Sequence, residues 1–481
     1  TPATPETIYA ILAINKIGAN ANMLNPTFSG QQLAGRINET DAVVLIVVNE
    51  LYGCIKDIIS KTCIKTVISY PAANCFGAIA KLLKKTKDIP NTVSWDRFIR
   101  MGKNISSSVE NSYQKDMPAI MVYSSGTTGV SKGIQLTNDG LNATILQYEV
   151  AGFVMKRQNR YFAQIPVWFS TGISVTILTP LCLGVTVILE PMYDFELFYR
   201  HIVKYKPHYM VTATAFLDYL MNKKHLNDAY GKFKYLVAGG EYVTPQAERR
   251  FNEWLKENNN LNGLYKGYGM CECGGTITSS ISQCNKIGTA GIPLPHVVVA
   301  AFDLNSNQEL PYGKRGEIRV LTPCRMLGYF KNPEATSKYF FTDSFNRTWA
   351  CTGDMGYVDK DGNVYVDGRL SDSYANTRSE TIYLFDIERV IQNVETVRQC
   401  KVVVSRINNE MTHIVHLALS CAAEENILLQ IKNVCLDKLP ENHQPHLIKM
   451  YKDALPVAPS GKLDSVLMRN DTKDLIDLDE Y

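Results

Sequence analysis

Short runs of β-branched residues alternate with longer stretches of helical spacing along the first 370 residues of this 481-residue chain. "AVVLIVV" (42–48), "IKTVISY" (64–70), "VTVILE" (185–190), "YMVTAT" (209–214) and "YLVAGG" (235–240) read as strands. Between them, "PETIYAILAINKIGA" and "PQAERRFNEWLKENN" carry apolar residues at the spacing of one helix face. This alternation predicts an α/β protein whose parallel sheets are covered by helices. From about residue 288 the texture changes to short strands broken by Gly and Pro, predicting a small β-subdomain over about 288–370. Within it, "GYVDKDGNVYVDGR" predicts a hairpin turning at Asp361-Gly362. After "GRLSD" comes a smaller α+β unit with strands "CKVVVSRI" and "THIVHLALS" and a helix at 425–438. The expected boundary lies near Leu370, giving a large N-terminal domain, 1–370, and a small C-terminal domain, 371–481.

Composition narrows the class. Hydrophobic residues at 45% and charged residues at 20% are ordinary for a soluble globular protein. A formal charge of +3 supplies no field that points to nucleic acid or a membrane surface. The basic run "KLLKKTK" (81–87) is local and reads as a solvated helix face. The charge-free run at 168–189 is long enough for a membrane span, but its Ser and Thr residues and Gly184 break it. A buried helix followed by the strand "VTVILE" is expected there instead. Twelve scattered cysteines form no disulfide framework, and Cys271, Cys273 and Cys284 have no His within ten residues, so no zinc site is expected. A reducing, cytoplasmic setting fits this usage.

The densest chemistry is "YSSGTTGVSKG" (123–133). It joins a strand ending near Tyr123 to "KGIQLT", after which Thr137-Asn138 caps a helix running to about Val150. The turn gathers the hydroxyls of Ser124, Ser125, Thr127 and Thr128 with Gly126, Gly129 and Lys132. Such a turn offers backbone N–H groups and a point charge to an anion. It is no Walker A loop, since Ser131 precedes Lys132, and the chain holds no GxSxG elbow. Taken alone, the loop is equally a phosphate grip or a flexible turn.

It does not stand alone. "YSSGTTGVSKGIQLT" resembles the signature loop of the adenylate-forming superfamily, which includes acyl- and aryl-CoA synthetases. Further similar motifs follow in the family's order: "VAGGEYVTP" (237–245), "YGMCE" (268–272), "GEIRVLTPCRMLGYFKNPEAT" (316–336), "WACTGDMGYVDKDGNVYVDGR" (349–369) and "LPVAPSGKLD" (455–464). The resemblance implies an enzyme that joins a carboxylate to AMP and then to a thiol, using ATP, Mg²⁺ and CoA. It implies that Ser124, Ser125, Gly126, Thr127, Thr128, Gly129 and Lys132 hold the departing pyrophosphate. Glu272, beside Cys271, would bind Mg²⁺. Tyr268 and Gly269 would lie with Gly239, Gly240 and Glu241 around adenine. Asp354 would accept from ribose hydroxyls with Arg369 close by. Lys462, in a mobile C-terminal domain, would bridge the carboxylate and the α-phosphate.

The carboxylate pocket is expected around Trp168, Phe169 and Gly274. No Asp lies between Pro166 and Ser174 to hold an α-amine, which favours a fatty or aryl acid over an amino acid. The chain departs from the family pattern at Cys271, where Thr is usual, and at Ser131, where Pro is common. It departs again at Ser371, the hinge position, and at Ser379, in a turn that usually bears Gly. The last two departures leave thioester formation less supported than adenylation. Transfer to a carrier-protein thiol and a non-catalytic binding role are the alternatives. The match to the family also begins well inside its first domain, so a segment is expected before Thr1.

Overall fold

The computed structural model describes residues 1–72, 89–103, 105, 109–124, 131–192, 194–223, 227–375, 381–407, 410–419, 426–457 and 463–481. The basic run at 81–87 lies outside them.

Five parallel strands dominate a seven-stranded sheet. Their spatial order is Leu264–Tyr268, Tyr235–Gly239, Tyr209–Thr212, Arg160–Ala163 and Thr186–Leu189. Strands covered on both faces must be apolar on both, which is why these read as continuous hydrophobic runs. Tyr161, Tyr209 and Val211 enter one core, while Phe162, Met210 and Leu236 enter a second. The second core is closed by helices Phe195–Tyr205, Thr214–Met221 and Pro245–Glu257, through Phe198, Phe216 and Phe251 among others. The last of these helices starts where local chemistry dictates: Thr244 accepts from the Ala247 amide, and Pro245 occupies the first turn. Because the strands run parallel, their C-terminal ends share one edge, the place where open α/β sheets take ligands.

The short strand Ile292–Pro293, at the start of the Gly- and Pro-broken stretch, pairs with Thr278–Ser279 on this large sheet rather than with the β-rich sheet after it. Gly291 permits the approach: its φ is +87°, and a Cβ there would collide with the Ser279 backbone.

A four-stranded sheet faces the cavity edge, in the order Ala21–Asn22, Pro118–Tyr123, Gly133–Thr137 and Gly328–Tyr329. The expected strands on either side of residues 125–130 are present, and Thr137 caps helix Asn138–Val150 by accepting from the Gly140 amide at 2.9 Å. The charge-free run folds as π-helix Thr171–Leu178, a short helix Thr179–Cys182, and strand Thr186–Leu189. Among the described residues no helix is long and apolar enough to cross a membrane.

A five-stranded antiparallel sheet follows, built from Val298–Phe302, Gly316–Leu321, Phe340–Thr342, Thr348–Val358 and Val364–Arg369. Its last hairpin turns where the Asp361-Gly362 pair predicts. Asp359 accepts from the amides of Asp361 and Asn363, and Gly362 has φ +83°. Beyond it, strands Val397–Ile407, Glu410–Leu419, Leu447–Tyr451 and Ile476–Asp477 form a separate sheet under helices Leu384–Gln392 and Ile427–Lys438. Ile387, Ile391, Val402, Val415 and Ile431 make a core drawn only from this part of the chain.

Candidate active site

The strand ends and the loops between them enclose a cavity of about 510 Å³. At one end stand the stems of the Ser/Thr/Gly loop. The Ser124 amide donates to the Lys132 carbonyl at 3.0 Å, and the Lys132 amide donates to Ser124 Oγ at 3.0 Å. Ser125, Gly126, Thr127, Thr128 and Gly129 lie outside the described residues, as do Ser379 and Lys462. One stem is held from elsewhere: the Arg36 guanidinium donates to the Ser131 carbonyl and, at 3.1 Å, to Ser131 Oγ. Arg36 also lies over the Tyr123 ring, 5.2 Å from its centre. Nothing in the loop motif points to this arginine, because the contact joins residues 95 apart.

Lys132 Nζ sits 4.8 Å from the centre of the Tyr329 ring, and the Tyr329 hydroxyl donates to Glu272 Oε1 at 3.0 Å. Tyr329 thus links the cation and the carboxylate. Burial, then the charge of Glu272, pushes its phenol well above the ordinary range and keeps it a donor. The residue falls inside the "GYF" of a recognised motif, yet sequence reasoning gave it no role.

A second group surrounds Tyr268. Its hydroxyl donates to Asp354 Oδ2 at 2.5 Å, and Asp354 Oδ1 pairs with Arg369 Nε at 2.9 Å. Burial and the neighbouring Asp354 hold the Tyr268 phenol protonated. Arg369 donates from Nη1 to the Thr352 carbonyl at 3.1 Å, which fixes its plane. Arg369 and Tyr268 line the cavity, whereas Asp354 is buried behind them and is not part of the lining. Gly239, Gly240 and Glu241 line the wall beside them. Glu241 is anchored by the Thr214 amide at 2.9 Å and by the Thr214 hydroxyl. Gly269 allows the wall its thinness, since a Cβ there would collide with the Gly275 carbonyl.

The remaining wall is mostly apolar, with Phe169, Val175, Val211 and Val237 among its residues. Trp168 and Gly274 are not brought to the cavity. Trp168 packs against the large core with its ring 6.4 Å from that of Phe169. Gly274, at φ +75°, lies behind the wall against Cys324. The π-helix is tied to this turn: Ser174 Oγ donates to the Gly274 carbonyl at 2.6 Å and Thr171 Oγ1 to the Gly275 carbonyl at 3.2 Å. Such helical irregularities recur at functional sites. Cys271 and Glu272 line the cavity from the short turn Cys271–Cys273. Sequence reasoning missed Tyr148 and Thr276, which line the cavity and meet each other although 128 residues apart. Among the described residues no group of three or more His, Cys, Asp or Glu gathers to hold a metal.

Residues 1–330 match the family model described as AMP-binding enzyme. A long-chain-fatty-acid–CoA ligase of Haemophilus influenzae is 25% identical over 387 residues, covering 76% of this chain and 66% of that protein. The 4-coumarate–CoA ligase-like 6 protein of Arabidopsis thaliana is 30% identical over 270 residues, covering 54% of this chain and 46% of that one. The matches thus span less than two thirds of either relative's length. The fold is that of an anthranilate CoA ligase solved with anthranoyl-AMP, at a TM-score of 0.81 and 20% identity, covering 98% of this chain and 86% of that one.

Proposed function

Because the chain belongs to the AMP-binding enzyme family, we propose that it is an ATP-dependent acyl- or aryl-CoA synthetase. A carboxylate would displace pyrophosphate from ATP to give acyl-AMP, and the CoA thiol would then take the acyl group and release AMP. The observation that carries this reading is one cavity lined by Lys132, Ser124, Tyr268 and Arg369 together with apolar residues, with Asp354 bonded to the last two of those polar residues.

Each group has work that suits its chemistry. Lys132 and the hydroxyl loop neutralise the leaving pyrophosphate. Asp354, held by Tyr268 and Arg369, accepts from ribose hydroxyls. Adenine fits the thin wall at Gly239 and Gly269, where a side chain would crowd or collide with the backbone, beside Gly240, whose φ is +88°. Glu272, buried and hydrogen-bonded through Oε1, is a hard oxygen donor that would suit Mg²⁺. When bound, Mg²⁺ would offset negative charge on the phosphates. Attack of a carboxylate on phosphorus needs no protein nucleophile, so catalysis rests on alignment and charge neutralisation. Lys462 would carry positive charge to the reacting carboxylate from the small C-terminal unit. The same reading divides the chain near Leu370, supported by the separate core beyond it.

Pyrophosphate release from ATP and Mg²⁺ across fatty, aryl and amino acids, with and without CoA, tests the proposal. Release requiring one acid class and CoA is expected, and Lys132→Ala should lower it about a hundredfold. No release with any acid would overturn the reading.

A further inference from the structure

The proposed synthetase leaves its acid undefined, and the cavity floor bears on it. Val237 lines the wall two residues below Gly239 on the same strand, a descent of about 7 Å. Tyr235, two residues lower, is shut off. Phe153 meets its ring at 5.1 Å between centres, and Tyr148 packs on Phe153 at 5.1 Å. The floor is therefore aromatic and lies about one ring below the strand ends.

The floor is also polar at one point. The Tyr148 hydroxyl and Thr276 Oγ1 lie 3.1 Å apart, and both residues are 7% exposed and line the cavity. Two hydroxyls carry two hydrogens, and their mutual bond uses one. No other group among the described residues bonds to either oxygen. Burial pushes the Tyr148 phenol up to about 12, partly offset by the Thr276 bond, so it stays a neutral donor. One O–H of this cavity-lining pair is left without an acceptor among the described residues. An occupant with an apolar tip leaves that donor unmatched, which costs it roughly tenfold in affinity.

Resting on the synthetase reading, we propose that the acid is a single-ring aryl acid bearing an oxygen acceptor at its far end, received by the Tyr148–Thr276 pair. Long saturated acids do not fit the shallow floor. Aryl acids with a methyl in place of the oxygen strand the hydroxyl.

The test compares 4-methoxybenzoate, 4-methylbenzoate and hexadecanoate by kcat/KM for pyrophosphate release, and by calorimetric binding. The full chain is used as wild type, as Thr276→Val and as Tyr148→Phe/Thr276→Val, each checked by thermal melting. The wild type should favour methoxy over methyl roughly tenfold, the worth of one satisfied buried donor. The double variant should bring the ratio close to one, and Thr276→Val alone should reduce it. Equal use of the two aryl acids by the wild type, preference for hexadecanoate, or a ratio that survives the double substitution would each overturn the inference. If no acid releases pyrophosphate, the synthetase reading falls. The pocket inference is then decided by binding: the same ratio in calorimetry sustains it, and no binding of either aryl acid ends it.

Discussion

Arg389 Nη2 meets Asp367 Oδ1 at 2.6 Å, joining the first helix of the C-terminal unit to the last strand of the β-rich sheet. Asp367 is almost wholly buried, and its other oxygen pairs with Arg315 at 2.6 Å. Arg315 reaches on to Asp386 at 2.7 Å, closing a chain of four charges across the junction. Removing Asp367 takes this partner from Arg389, while Arg315 keeps Asp386, and both guanidinium groups are partly exposed. Asp367→Ala should therefore destabilise the protein by roughly 2 kcal/mol, less than a fully buried pair would cost. Urea unfolding checks this, and an unchanged midpoint would mean that solvent already screens the network.

Arg36 is expected to act through the loop it holds. Arg36→Ala removes its charge-assisted bond to the Ser131 carbonyl and should raise KM for ATP about tenfold while kcat changes less. Steady-state kinetics at saturating acid separate the two constants. A fall in kcat alone would place the effect elsewhere.

Tyr329 should distinguish its ring from its hydroxyl. Tyr329→Phe keeps the face beneath Lys132 but loses the bond to Glu272, so the Mg²⁺ concentration for half-maximal rate should shift and kcat should fall about tenfold. Tyr329→Ala, which removes both contacts, should fall further. Equal losses in the two variants would deny the hydroxyl its part.

Gly269→Ala inserts a methyl group against the Gly275 carbonyl. The displaced wall should cost about a hundredfold in pyrophosphate release, since misplacement by an ångström carries that penalty. Wild-type kinetics in this variant would show that the wall can yield.

Acid should loosen the C-terminal unit. Burial lowers the rings of His413 and His416 from 6.5 to about 4. In the unfolded chain both take protons near pH 6.5, whereas the folded chain resists until about pH 4. The unfolded state thus binds more protons across that window, and stability falls as pH drops from 6.5 to 4. His413 is wedged between the Tyr374 hydroxyl and the Gln444 carbonyl, and His416 faces Tyr451. Denaturation midpoints at pH 7 and pH 4.5 measure the slope, and their equality would contradict it.

Much of this architecture is legible in residue order because its signals are local. Thr137 caps the helix after the loop through a three-residue contact, and Asp361-Gly362 turns its hairpin through Asp359. Gly239 and Tyr268 reach one cavity because their parallel strands place their ends on one edge. What escaped reading depends on the stacking of separate sheets. Tyr148 looks like any core aromatic until helix Asn138–Val150 sets it against Thr276. Trp168 and Phe169 are equivalent on paper, but successive side chains diverge, so only Phe169 faces the cavity. Arg36 and Tyr329 reach the loop from distant segments, and no spacing rule connects them.

The pairing of Gly328–Tyr329 with Gly133–Thr137 also has a consequence for biosynthesis. The ribosome must add nearly two hundred residues after Thr137 before Tyr329 exists, a wait of roughly 10–40 s at ordinary elongation rates. Throughout it, the outer rim of strand Gly133–Thr137 lacks its native neighbour and offers free backbone groups to other nascent chains. The tyrosine that joins Lys132 to Glu272 is therefore also the piece whose arrival ends that exposure.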